Sequence, residues 1–247
     1  TRNVALIKKP PCALFSFLAR ALRPALLLLA MSSYLAFLSL LSPVPCRDDL
    51  ALVAERNFSK TGVAVEVGVF RGAFSKRNLK VWTKKYYQVD AWSFRMGDPK
   101  DKNFRHDTVN VANQNAAWRA VAPFEGRVTQ MKALSRDAAV KFADSSIDWL
   151  YIDALHTRDA LYGDLVAWWH KVRPGGLISG DDYGDTGNTS LMTSTRWEHA
   201  FNAVARSNKW GVISALERFT AEKQVILHTT WVLDCYKWPA WYFVKPF

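Results

Sequence analysis

The sequence predicts an α/β domain built on a doubly wound, mostly parallel sheet of about seven strands, and three observations carry that expectation. Short β-branched and aromatic runs, among them VAVEV (63–67), KYYQVD (85–90) and IDWLYID (147–153), alternate with stretches whose apolar spacing suits helices. The first run is followed by Gly68 and the next two close on Asp90 and Asp153, at the strand ends where open α/β sheets bind ligands. The chain has 247 residues, 49% of them hydrophobic, enough for one well-cored domain and an appendage.

In chain order, an apolar run between Arg23 and Arg47 comes first, then an amphipathic segment around 48–57. VAVEV reads as a buried parallel strand. Residues 73–82 place Phe74, Leu79 and Trp82 near one helical face, and KYYQVD follows as the second strand. A polar helix over about 106–121 leads to the strand RVTQM (127–131), then to a short helix from Ser135 to Phe142 with Ser135 as its N-cap. IDWLYID precedes a helix from Arg158 to Lys171, and Arg173-Pro174-Gly175-Gly176 is expected as a turn before the strand LISG (177–180). A helix is expected over 197–207. VILHTTW (225–231) and AWYFV (240–244) complete the sheet, their short link favouring an antiparallel last strand.

The net charge of +11 is uneven: residues 1–47 hold six Lys/Arg and no acid, leaving +5 for the rest. That remainder has no basic run and no interleaved aromatics to track a phosphate backbone, so nucleic acid is not an expected partner. Cys12, Cys46 and Cys235 are too few for a disulfide framework and lack the spacing of a zinc knuckle. The apolar run has the length of a bilayer-spanning helix, ~20 residues. Lys8, Lys9, Arg20 and Arg23 before it, against Arg47-Asp48-Asp49 after it, place the N-terminus in the cytosol and the domain in the lumen of the endoplasmic reticulum or Golgi. A cleaved signal of a secreted protein and an organellar transit sequence are the alternatives. The expected division is thus 1–47, a basic segment and membrane anchor, and 48–247, the α/β domain. Asn57-Phe58-Ser59 and Asn188-Thr189-Ser190 fit the N-glycosylation acceptor. Nothing in the sequence sets the oligomeric state.

The strand ends carry the chemistry. Gly68 and Gly72 let backbone approach a ligand closely, but Val69 and Phe70 break the dinucleotide fingerprint G-x-G-x-x-G, which disfavours a nicotinamide cofactor. Asp90 stands at the distance where an acid accepts hydrogen bonds from ribose hydroxyls, and Trp92 is placed to pack on a cofactor's rim. Asp153, Asp181 and Asp182 form a second cluster of hard oxygen donors suited to Mg²⁺ or another divalent cation. Such an ion lowers the pKa of a substrate hydroxyl, and His156, three residues after Asp153, is a general base that titrates near neutral pH. His106, His170, His199 and His228 have no partner spacing and read as structural or exposed.

The segments VEVGVFRGAFS (65–75), YYQVDAW (86–92) and IDWLYIDALHTRDALYGDLVAWWHKVRPGGLISGDDY (147–183) resemble the class I S-adenosylmethionine-dependent methyltransferases, and within them methyltransferase-domain family 24. The resemblance implies a seven-stranded, Rossmann-like methyltransferase sheet. It implies that Glu66, Gly68 and Gly72 line the methionine end of S-adenosylmethionine, that Asp90 holds its ribose, and that Ser135 and Arg136 lie beside its adenine. Asp153, Asp181 and Asp182 match the positions of metal ligands in catechol-type and sugar O-methyltransferases. The family usually has His where this chain has Asp181, and Ala154-Leu155 replaces a more polar pair. The implied activity is methyl transfer to a hydroxyl of a small molecule or glycan, with Asp153 and His156 acting on the acceptor. A methyltransferase-like binding protein without catalysis, or another endomembrane group-transfer enzyme such as a glycosyltransferase, are the rival readings.

Overall fold

The computed structural model describes residues 44–93, 107–185, 210–230 and 238–247. The expected N-terminal apolar helix and the helix expected over 197–207 lie outside these residues. No helix among the described residues is long and apolar enough to cross a membrane. Pro43–Pro246 form one compact unit, so Cys46 and Arg47, assigned by sequence to the anchor segment, belong to the domain.

The chain enters through a 3-10 turn (Arg47–Asp49), helix α1 (Leu50–Val53) and a π-turn (Ala54–Phe58). There follow β1 (Val63–Val67), α2 (Ala73–Asn78), β2 (Lys85–Asp90), α3 (Asp107–Val121), β3 (Val128–Lys132), α4 (Ser135–Ala139), β4 (Ile147–Ile152), α5 (Arg158–Trp169) and β5 (Val172–Gly180). Helix α6 (Val212–Lys223), β6 (His228–Thr229) and β7 (Trp241–Val244) complete the described elements. The sheet order is β3-β2-β1-β4-β5-β7-β6, parallel through β5, with β7 antiparallel to both neighbours. This is the doubly wound sheet expected, and its order reverses between β1 and β4, the switch point where such sheets bind ligands.

The two faces of the sheet differ. Val65, Val67, Val89, Leu150, Ile152 and Ile178 pack in an apolar core with residues of α4, α5 and α6. The alternate positions carry a buried polar network under α2. Ser75 and Tyr86 both donate to Glu66 Oε2, Gln88 Nε2 donates to Ser75 Oγ at 2.7 Å, and Asn78 Nδ2 to the Tyr86 hydroxyl at 2.9 Å.

At the amino ends of the strands, the Asp148 carboxylate accepts the N–H groups of Lys60, Thr61 and Gly62 and a 2.6 Å bond from Arg173 Nε. Burial would raise this carboxyl, but Arg173 and the three backbone donors outweigh it and hold it below its ordinary value. The knot fixes the starts of β1, β4 and β5 together.

Three local expectations are corrected. Arg173-Pro174-Gly175-Gly176 is part of β5 rather than a free turn, because Gly175 N–H donates to the Lys245 carbonyl and Lys245 N–H to that of Gly176. Ser135 is the first residue of α4 and not its cap; its hydroxyl accepts from Trp168 Nε1 at 2.9 Å. Helix α6 was not expected at all, although Val212, Ile213, Leu216 and Phe219 fall at helical spacing and bury into the core. Expected helices also end early: α2 stops at Asn78, and Leu79 to Trp82 close in tight turns onto Ser75, Arg77 and Asn78 carbonyls.

Candidate active site

Strand β1 leads into a loop that the sheet itself constrains. Gly68 has φ +87°, and a Cβ there would stand 1.8 Å from the Asp153 carbonyl oxygen. Gly72 has φ +75°, and its Cβ would stand 2.9 Å from Ala117 Cα. Packing against β4 and α3 therefore requires both glycines, a reason distinct from the close ligand approach expected of them. Between them, Asp90 gathers the loop. Its Oδ2 accepts from Val69 N at 2.8 Å and Phe70 N at 2.9 Å, and its Oδ1 from Trp92 N at 2.8 Å. Burial raises the Asp90 carboxyl, against the pull of these three N–H groups. A carboxylate offers about four lone-pair positions, so Asp90 keeps one for a further donor.

Trp92 is 2% exposed, packs with Val69 and Ala117, and donates from Nε1 to the Phe70 carbonyl at 2.9 Å. It supports the loop from below and forms no open rim. Phe70 is 45% exposed at the same edge, an aromatic that the sequence reading passed over. Phe70 (φ 54°), Trp92 (φ 38°) and Asp182 (φ 54°) are held in the left-handed region, and such strained non-glycine residues cluster at functional sites.

Glu66 lies beneath this loop. Burial pushes its carboxyl up to about 8, against the bonds from Ser75 and Tyr86; the charge of Asp153 adds to the rise and Arg47 opposes it. Ser135 and Arg136, expected beside an adenine, are tied to α5. Ser135 holds Trp168, and Arg136 Nε lies 3.6 Å from Asp164, whose carboxyl burial raises to about 6.

At the ends of β4 and β5 three side chains converge. His156 Nε2 lies 3.4 Å from Asp153 Oδ1 and 3.4 Å from Asp182 Oδ2, and the donor atoms of all three lie within 4.8 Å of one another. The His156 carbonyl accepts from Gly211 N at 2.9 Å, and its ring packs at 5.2 Å from Trp210, which meets Trp238 edge-on at 5.6 Å. Burial raises the Asp182 carboxyl to about 6; His156 and Arg47 oppose the rise and Asp153 adds to it.

Asp181 is not in this group. It is 1% exposed, ion-paired with the buried Arg47 guanidinium, and its carbonyl accepts from Trp241 Nε1 at 3.0 Å. Of the three acids expected together, the structure joins Asp153 and Asp182 and turns Asp181 to Arg47. Arg47 stacks over Phe74 at 4.6 Å, and Phe74 over Tyr151 at 4.3 Å. Sequence reasoning missed Arg47 because it was counted only as a flank of the apolar run. Its place at the start of an amphipathic segment was the available signal.

A methyltransferase-domain family profile matches residues 65–183. No curated protein sequence matches the chain. Among solved structures, a protein from Corynebacterium glutamicum aligns over 94% of this chain and 97% of its own, with 13% identity and a TM-score of 0.54. The O-methyltransferase TomG from Streptomyces achromogenes, solved with S-adenosylmethionine and involved in tomaymycin synthesis, aligns over 80% of this chain and 78% of its own, with 12% identity and a TM-score of 0.52. An O-methyltransferase family protein from Burkholderia thailandensis aligns over 80% of this chain and 55% of its own, with 12% identity and a TM-score of 0.54. At these identities the likeness is one of fold. Residues 65–183, which hold Glu66, the glycine loop, Asp90 and the Asp153–His156–Asp182 group, match the methyltransferase-domain family model, in agreement with the resemblance read from the sequence.

Proposed function

We propose that the domain transfers a methyl group from S-adenosylmethionine to a hydroxyl of a small molecule or sugar residue, with a divalent cation assisting. The observation that carries this reading is the pairing of two polar sites across the switch point: the Asp90-gathered loop after β1 and β2, and the Asp153–His156–Asp182 group after β4 and β5. The acceptor position left on Asp90 suits a donating ribose hydroxyl, with Glu66, Gly68 and Gly72 at the methionine end. Trp92 supports the loop, and Ser135 and Arg136 border the adenine side. The buried Oδ1 of Asp182, which has no hydrogen-bond partner among the described residues, suits a cation.

Bound S-adenosylmethionine supplies a methyl group on a sulfonium whose charge is lost on transfer. The protein's share is positioning and charge. Asp153, His156 and Asp182 would lie beside the acceptor oxygen, as ligands of the cation or as acceptors of the hydroxyl proton. A divalent cation held by these residues would supply positive charge that lowers the pKa of the acceptor hydroxyl.

The test is calorimetry of S-adenosylmethionine binding to the full chain, since Arg47 lies in the segment ahead of β1. Micromolar binding is expected, weakened roughly tenfold or more in Asp90→Ala, the loss of a hydrogen bond to a charged group. A folded protein that binds no cofactor would leave the non-catalytic binding protein as the better reading.

We also propose that the domain is lumenal, behind an N-terminal membrane anchor. Cys46 is disulfide-bonded, which suits an oxidising compartment, and Asn57 of the first glycosylation acceptor is exposed. In sealed microsomes the domain should resist added protease until detergent is present. Digestion without detergent would place it in the cytosol.

A further inference from the structure

We infer that the cation site is a mixed nitrogen–oxygen centre held by Asp153, His156 and Asp182, and that it takes Mn²⁺, Co²⁺ or Zn²⁺ in preference to Mg²⁺. The inference rests on the O-methyltransferase reading and specifies its metal. Three aspartates would make an all-oxygen site, the donor set that suits Mg²⁺. Here Asp181 is withdrawn: its buried carboxylate is ion-paired with Arg47, a cation that repels a second one. His156 stands in its place. Its Nε2 is 3.4 Å from a carboxylate oxygen on either side, longer than an N–H···O bond of about 2.7–3.2 Å. It is the spacing of neighbouring ligands on an ion with bonds of about 2.1 Å.

Two further features point to a ligand. Among the described residues, the Asp182 Oδ1 atom is buried without a partner, and so is the hydroxyl of Tyr151, a side chain 1% exposed. Tyr151 lies two residues before Asp153 and near enough to feel the charges of Asp153 and Asp182, so its phenol suits a carboxylate or ion-bound water beside the centre. The backbone around the donors is also pinned: Asp153 N–H donates to the Val67 carbonyl, the His156 carbonyl accepts from Gly211 N–H, and the His156 ring packs against Trp210. An imidazole donor shifts preference toward the later first-row ions. In this arrangement His156 serves as a ligand rather than as the general base.

The experiment is titration of the chelator-treated full chain with each chloride salt, read by calorimetry, by loss of the free Mn²⁺ resonance signal and by the visible spectrum of Co²⁺. S-adenosylmethionine binding is measured on the same samples. Mn²⁺, Co²⁺ and Zn²⁺ should bind at least roughly tenfold more tightly than Mg²⁺. His156→Gln should remove that margin and the Co²⁺ spectrum, while Asp181→Asn leaves the affinities unchanged. Equal affinity for Mg²⁺, or a greater loss in Asp181→Asn than in His156→Gln, would overturn the assignment. So would a protein that binds S-adenosylmethionine but no metal. Failure to bind S-adenosylmethionine tells against the methyltransferase reading instead, whatever the metal result.

Discussion

Replacing Arg47 by alanine is expected to destabilise the domain by about 3–5 kcal/mol, the cost of leaving a buried charge without its partner. Asp181 is 1% exposed, and the Arg47 side chain that meets it is itself 7% exposed. The same substitution removes the guanidinium from over Phe74. The pair should therefore fail asymmetrically. Arg47→Met with Asp181→Leu removes both charges and should recover most of the loss, because apolar replacement of a buried pair is often neutral. Urea unfolding of the three proteins at neutral pH measures it. A change under ~1 kcal/mol in Arg47→Ala would mean that water screens the pair, as at a surface bridge. In the expected case, a chain cut at the sequence-derived boundary after residue 47 would lose the same pair.

That boundary marks where sequence reasoning reached its limit. Hydropathy separates apolar run from amphipathic segment near Arg47, but it carries no information on which side a flanking charge folds. The central strands were legible because they are buried on both faces and read as near-continuous apolar runs: Ile147–Ile152 is buried at every position. The ligand edge followed, since parallel strands present their last residues on one side. Less accessible was the direction in which each acid points. Asp181 and Asp182 are neighbours in sequence, yet one meets Arg47 and the other His156, and only the left-handed turn at Asp182 separates them. Helix α6 was readable from Val212, Ile213, Leu216 and Phe219, but was passed over in favour of the neighbouring stretch. The strained conformations of Phe70 and Trp92 had no sequence signal, as neither residue type favours positive φ.

Glu66 gives the second large effect, one of pH. Its carboxyl is raised from an ordinary 4.5 to about 8, chiefly by burial. A group raised in the folded state contributes stability fully below its unfolded value and loses it as pH rises toward the folded one. Stability from this site should therefore fall between about pH 4.5 and pH 8 and level off above, a change on the order of 5 kcal/mol as an upper bound. Glu66→Gln keeps an oxygen to accept from Ser75 and Tyr86 and has no proton to lose. Asp164 and Asp182, both raised to about 6, titrate in both proteins and cancel in the comparison. Urea unfolding at pH 5, 6, 7 and 8 should show the two profiles diverging, the wild-type chain losing several kcal/mol more than Glu66→Gln as pH rises. Parallel profiles would mean that Glu66 is ionised when folded. The network under the glycine loop would then hold a buried anion, with Ser75 and Tyr86 as the donors that stabilise it.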